Sequence, residues 1–174
     1  MAAFNDRVRE NIRQNEGGFV DDPEDHGGRT NHGITQDTLN AYCLEANIQS
    51  MDVKDLDWLR AFLCYEMFFW NRYRANLIEN QTLAENYFDC LINSGPHTAG
   101  ILLQQAAGMP EPHDGIVGSG TIASVNAAPA ADVNAALVDL RKATYRAIVE
   151  SHPDQEKFLN GWLARADRFL MEAA

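Results

Sequence analysis

Positive charge is scarce in this sequence. Lys and Arg number 14 against 25 Asp and Glu, so the 174 residues carry a formal charge of −11. Sequence-independent nucleic-acid binding needs phosphate neutralisation, and docking on anionic lipid by charge alone needs basic clusters. The composition weighs against both, and an anionic substrate must be recognised inside a local site rather than gathered by the overall field. Cysteine is equally sparse. Cys43, Cys64 and Cys90 are an odd number at wide spacings without a CxxC pair, which argues against a disulfide framework. Cys64 and Cys90 sit inside the apolar runs AFLCYEMFFW and YFDCLIN, where a reduced, buried thiol is expected. His26, His32, His97, His113 and His152 form no HExxH or similar ligand spacing, and DDPEDH lacks the alternating acids of a calcium loop. No metal and no other cofactor is expected. No apolar run approaches the roughly 18 residues of a membrane span, and the opening MAAFNDRVRENIRQNE is too polar for an export signal. The expectation is a chain made and held in the cytoplasm, without stable membrane insertion, that needs a partner to reach anything outside.

Strand signal is also nearly missing. Only 29–35, RTNHGIT, has a fair case for a short hairpin or one bent strand. The rest reads as helix. Phe4, Val8 and Ile12 recur at helical spacing, Asn5 or Asp6 offers a cap, and Gly17-Gly18 ends the run. Thr35 or Asp37 caps a helix through TLNAYCLEAN, and Asp52 or Asp55 the next, in which Leu56, Leu59, Leu63, Met67 and Trp70 form one stripe. A helix over 83–92 joins through Asn93-Ser94-Gly95-Pro96 to ILLQQAAG. HDGIVGSG is a Gly-rich turn ahead of a short helix over 121–126. Asp132 reads as the cap of a long helix over 133–151, and Phe158, Trp162 and Phe169 share a face of a last helix over 154–173. Trp70, Tyr73 and Trp162 read as core residues first and sugar platforms second. With 45% hydrophobic and 22% charged residues, this is a soluble-type, mostly α chain of one domain or two small lobes.

The chemistry is concentrated in NEGGFVDDPEDHGGRTNHGIT. Cleaving a glycosidic bond requires a carboxylic acid to protonate the leaving oxygen and a carboxylate or oriented water on the other face of the sugar. Glu16, closing an apolar helix beside a glycine-rich loop, suits the first role, because partial burial favours the protonated form. Asp21, Asp22, Glu24 and Asp25 are candidates for the second. The bland alternative for Glu16 is a solvated residue in a last helical turn, where an acid opposes the helix dipole. The bland alternative for Asp22 and Asp25 is loop capping through Asx-turns.

These residues carry a resemblance. EGGFVDDPEDHGGRTNHGIT resembles the glycoside hydrolase family 108 motif, roughly E-G-G-Y-x-x-D-P-x-D-x-G-G-x-T-N-x-G-I-T. The segment around Trp70-Asn71-Arg72-Tyr73 is similar to the family's aromatic segment after its middle helix. YFDCLINSGPHTAGILLQQAAG and DGIVGSGTIASVN resemble a peptidoglycan-binding half with N-S-G-P and D-G-x-x-G-x-x-T motifs, and FLNGWLARADRF its G-W-x-x-R ending. The resemblance runs through nearly the whole chain, in order. It departs at Phe19, where the family commonly has Tyr, and at His32, where an aromatic is usual.

The resemblance implies a lysozyme-like helical fold with a small β-hairpin next to the catalytic helix. A catalytic lobe would span 1–92 and a peptidoglycan-binding-like half 93–174, packed as one compact unit. It implies an N-acetylmuramidase of the endolysin type, often phage-borne, that cuts the β-1,4 bond between N-acetylmuramic acid and N-acetylglucosamine, with Glu16 as general acid. The protein would act as a monomer on peptidoglycan glycan strands, reached with a holin or other export partner. In phage-type lysozymes an Asp nine residues after the Glu and a Thr shortly after that hold the attacking water. Asp25 and Thr30 come close to that spacing, and Asp22 rivals Asp25. Asp22, Asn31, His32 and Gln36 are candidate sugar contacts. A non-catalytic wall-binding protein of the same fold and a lytic transglycosylase are the alternatives.

Overall fold

The computed structural model describes residues 1–21 and 28–170. They divide into two compact units, one formed by Phe4–Arg72 and the other by Met1–Ala3 with Tyr73–Ala174. Both are helical; among the described residues the only sheet is a two-stranded antiparallel hairpin in the first unit.

In the first unit, α1 spans Asp6–Asn15. Asn5 starts it by accepting from the Val8 N–H at 3.0 Å, and Val8 and Ile12 point into the core with Phe4. At Glu16 the backbone turns extended (φ −103°, ψ 137°) while its N–H still reaches the Ile12 carbonyl. The hairpin follows, β1 (Thr30–Asn31) against β2 (Ile34–Thr35), with Thr30 opposite Thr35. Its two-residue turn places both His32 (φ 52°) and Gly33 (φ 74°) in the left-handed region, the signature of a type I′ turn whose twist suits a hairpin. Val20 bridges the outer side of Thr30. Thr35 then caps α2 (Gln36–Glu45) by accepting from the Thr38 N–H.

The next helix departs from the sequence expectation. Asp52 caps only a 3-10 turn, Val53–Asp55, and Asp57 caps α3, Trp58–Tyr65. The helix continues as a π-helical segment, Glu66–Asn71. Leu56 precedes the helix, and α3 turns the face of Ala61, Phe62, Cys64 and Tyr65 inward, so the expected stripe does not form one buried face. Leu59 and Leu63 are 71% and 45% exposed, whereas Phe62, Tyr65, Phe68 and Trp70 are buried.

In the second unit, Ala2 donates to the Ile78 carbonyl and the Gln81 amide brackets Ala3. α4 (Gln81–Ser94) is buried along nearly its whole length. Around it lie α5 (Pro96–Ala106), α6 (Ser119–Ala127), α7 (Ala130–Ser151) and α8 (Glu156–Asp167). Asp132 is not the cap of α7: Pro129 holds that position, and Asp132 lies in the first turn, where a negative charge still favours the helix dipole.

A charged network lies inside this unit. Arg141 is fully buried and donates to Asp89, to the Asn86 side chain at 2.6 Å and to the Tyr145 hydroxyl at 3.2 Å. Asp89 also accepts from Arg165 at 2.9 Å. A buried guanidinium is tolerated because its N–H groups meet acceptors and its charge meets a carboxylate. All three cysteines are free and buried, as the apolar runs foretell for Cys64 and Cys90.

Candidate active site

Glu16 is half-buried at the end of α1. The hairpin turn supplies the surface against which its carboxyl rests. A Cβ placed on Gly33 would collide with Glu16 Oε2 and with the Tyr65 hydroxyl, and would lie 2.9 Å from Glu16 Cδ. Both oxygens crowd the same point, so they lie within about 5 Å of each other. Glycine is therefore required twice at position 33, for its positive φ and for the closeness of the carboxyl.

Tyr65 is buried at the end of α3 and donates to the His32 carbonyl at 3.0 Å. It thus ties the turn to the helix that flanks it. The His32 ring stacks on Trp58 at 3.9 Å, and Trp58 stacks on Phe62 at 5.4 Å. The Arg13 guanidinium lies 5.8 Å from the Trp58 ring and 4.9 Å from the Phe62 ring. Neither Tyr65 nor Trp58 stands out in the sequence, because both read as members of one apolar helical run. Only Gly33, followed directly by the strand Ile34-Thr35, hints that a side chain must approach the backbone there.

The other site candidates separate clearly. Thr30 lies in β1, its N–H and carbonyl both bonded to Val20. His32 is half-buried beside Glu16's seat, with its ring committed to the Trp58 stack. Asn31 and Gln36 hold the scaffold. Asn31 is buried, and its amide donates to the carbonyls of Val53, Lys54 and Leu56 at 3.0, 3.2 and 3.3 Å. Gln36 donates to Asn40 and to the Met51 carbonyl, and accepts from the Val53 N–H at 2.8 Å. Asn31 and Gln36 bind the 51–56 segment, because buried backbone carbonyls must find partners. Asp22 and Asp25 lie outside the described residues, as does Glu24. Asp21 is engaged with Arg29 at 3.4 Å. Arg29 also bonds Asp52 at 2.6 Å. Asp52 is held below the usual carboxylate range by the Lys54 N–H first and by Arg29 second.

The D-G-x-x-G-x-x-T segment has a packing role. Gln104 donates to Asp114 at 2.7 Å and accepts from the Gly115 N–H at 3.0 Å, and Thr121 bonds the Ile116 carbonyl. Gly115 sits so close to Gly100 that a Cβ on Gly100 would lie 2.6 Å from the Gly115 carbonyl carbon. The motif is a lock between α5 and the turn before α6.

Residues 9–95 match the family described as Glycosyl hydrolase 108. The chain belongs to that family. Residues 98–167 match a second family, described as Predicted Peptidoglycan domain. Among solved structures, the chain is similar to the Brucella abortus protein SagA, at 30% identity and a TM-score of 0.71, over 94% of this chain and 89% of that one. No curated protein matches it. The fold is accordingly the mostly α, lysozyme-like one, with its small hairpin beside the helix of Glu16. The two family matches together describe a glycoside hydrolase that acts on peptidoglycan. No helix of the described residues is long and apolar enough to cross a membrane.

Proposed function

We propose that this glycosyl hydrolase 108 member is an N-acetylmuramidase that hydrolyses the β-1,4 bond between N-acetylmuramic acid and N-acetylglucosamine, with Glu16 as general acid. The observation that carries the reading is the seat of the Glu16 carboxyl. It is half-buried at the end of a rigid helix and pressed against a glycine notch and a fixed tyrosine hydroxyl. A general acid works when its proton is held at one place relative to the scissile oxygen, and a carboxyl on a free loop would not be so held. Glu16 gives its proton to the glycosidic oxygen as the C1–O4 bond breaks. Water adds at C1, its proton passing to a carboxylate. In this reading Asp25, or Asp22 in its place, takes that proton and Thr30 helps to orient the water. The products are a reducing N-acetylmuramic acid end and an N-acetylglucosamine with a free 4-hydroxyl.

The test is zymography on peptidoglycan with Glu16→Gln, followed by mass spectrometry of the products made by the parent protein. The expected result is loss of clearing in the variant and reducing muramic ends from the parent. Retained clearing by Glu16→Gln would remove Glu16 from the mechanism. Products ending in 1,6-anhydro-muramic acid would replace hydrolysis by internal transglycosylation, which uses the sugar's own 6-hydroxyl in place of water.

A further inference from the structure

Tyr65 contributes more to the Glu16 site than packing. It is buried at the end of α3, and its hydroxyl meets the hairpin turn. His32 is the first residue of that two-residue turn, so its carbonyl stands outside the ladder of β1 and β2 and needs a donor from elsewhere. Tyr65 supplies it, at 3.0 Å. A carbonyl can only accept, and a hydroxyl has one proton. The Tyr65 proton is therefore spent on His32, and any other neighbour of the hydroxyl meets a lone pair.

The Glu16 carboxyl is such a neighbour. Glu16 Oε2 and the Tyr65 hydroxyl converge on the one point that a Cβ on Gly33 would occupy. The two protonation states of Glu16 differ sharply there. As an acid, Glu16 gives its O–H to the Tyr65 oxygen, Tyr65 gives its own to the His32 carbonyl, and every group in the row has a partner. As a carboxylate, Glu16 can only accept, and it competes with the His32 carbonyl for a single proton. Turning the hydroxyl towards Glu16 would strip that carbonyl of its donor, which is costly away from water. A hydrogen bond to the neutral form of a group holds that form to higher pH, and bonds in a row strengthen one another.

Other charged and titratable groups surround the seat. Arg13 of α1, one turn before Glu16, lies over the Trp58 and Phe62 rings and is 3.9 Å from Glu10. The His32 ring is stacked on Trp58. Arg29 is shared by Asp21 and Asp52. Asp22, Glu24, Asp25 and His26 lie outside the described residues. All of these act on the parent and on a variant of Tyr65 alike, so the difference between the two isolates the hydroxyl.

We propose that Tyr65 is a positioning residue that keeps Glu16 protonated, by accepting from its carboxyl while donating to the His32 carbonyl. This rests on the reading of Glu16 as general acid, since a general acid must hold its proton until the glycosidic oxygen arrives.

The test compares the full chain with Tyr65→Phe, which removes one oxygen and keeps the ring. Glu16 is titrated through the carbon NMR resonance of its carboxyl, identified by its absence from Glu16→Gln. The pH profile of peptidoglycan clearing is recorded alongside. Loss of the acceptor should lower the Glu16 midpoint by about half a pH unit or more, the size of one hydrogen bond made to a single protonation state. The alkaline limb of clearing, where the acid has lost its proton, should move to lower pH by the same amount. A tyrosine with a structural role alone would lower clearing at every pH and leave the midpoint in place. A second readout needs no variant of Tyr65. In the parent, the Tyr65 ring carbon that bears the hydroxyl should shift through the Glu16 midpoint, and that step should vanish in Glu16→Gln. The proposal is overturned if the midpoint in Tyr65→Phe is unchanged or higher, or if Tyr65 of the parent is silent while Glu16 titrates. Clearing retained by Glu16→Gln would remove Glu16 as the acid yet leave the midpoint comparison intact, so the two readings fail separately.

Discussion

Gly33→Ala isolates the closest contact of the Glu16 site. Its cost has two parts. Holding a non-glycine residue at φ 74° costs about 1–2 kcal/mol, which for a chain of this size lowers Tm by about 2–8 °C. The second part falls on the site alone. The new methyl would lie 2.9 Å from Glu16 Cδ where ordinary contact begins at 3.4 Å, and nearer still to Oε2 and to the Tyr65 hydroxyl. The carboxyl must retreat by about half an ångström or more, and the tyrosine is drawn off the His32 carbonyl. A misplacement of about 1 Å in a catalytic group costs on the order of a hundredfold in rate, so a fall in peptidoglycan turnover of about ten- to a hundredfold is expected. Gly108→Ala is the matched control. Gly108 has φ 65° with open space around its Cα, so the backbone cost is similar and turnover should hold. Melting curves and initial turbidity-clearing rates on the same preparations give both quantities. If Gly33→Ala melts lower yet clears as fast as Gly108→Ala, the seating of Glu16 against the hairpin has no part in catalysis.

Three further outcomes follow from the second unit and the thiols. Asp89→Asn leaves the fully buried Arg141 without its counter-charge and should cost about 3–5 kcal/mol in urea unfolding; a loss under 1 kcal/mol would mean the network is not closed. Asp114 is held below the usual carboxylate range by Gln104 first and by the Ile116 N–H second. A depressed carboxylate stabilises above its unfolded value of about 3.9 and loses that contribution as pH falls through the lower folded value. The Tm gap between the parent and Asp114→Ala should therefore be present at pH 6 and shrink as the solution is acidified past the unfolded value; a gap independent of pH would refute the assignment. Burial pushes the Cys64 thiol up to about 12 and the Cys90 thiol up to about 11. Thiolates are the reactive form, so maleimide at pH 7 should leave both unlabelled in the native chain and label them after unfolding, as read by mass spectrometry.

Much of the architecture is local in origin and was legible. Asn5 and Thr35 cap the helices they precede, the lone strand signal became the hairpin, and the apolar runs around Cys64 and Cys90 are buried. The failures also have local causes. Asp57 displaced Asp52 as the α3 cap, and α3 buries the face of Ala61, Phe62, Cys64 and Tyr65, which leaves Leu59 and Leu63 of the expected stripe exposed. Asn31 and Gln36 hold the carbonyls and amide of the 51–56 segment, long-range bonds that the motif does not show.

The linear order of residues thus settles which segments are helical, where a carboxylate closes α1, and which thiols go inside, since caps and periodicity act over a few residues. Which side chains meet was decided only by folding. Tyr65 reaches the Glu16 carboxyl across 49 positions of chain because α3 and the hairpin turn pack together. Trp70 sinks into the core while Trp162 stays half-exposed beside a pocket, although both look alike in sequence. Contacts between distant segments depend on the summed burial of whole helices, and no short window of residues contains that sum.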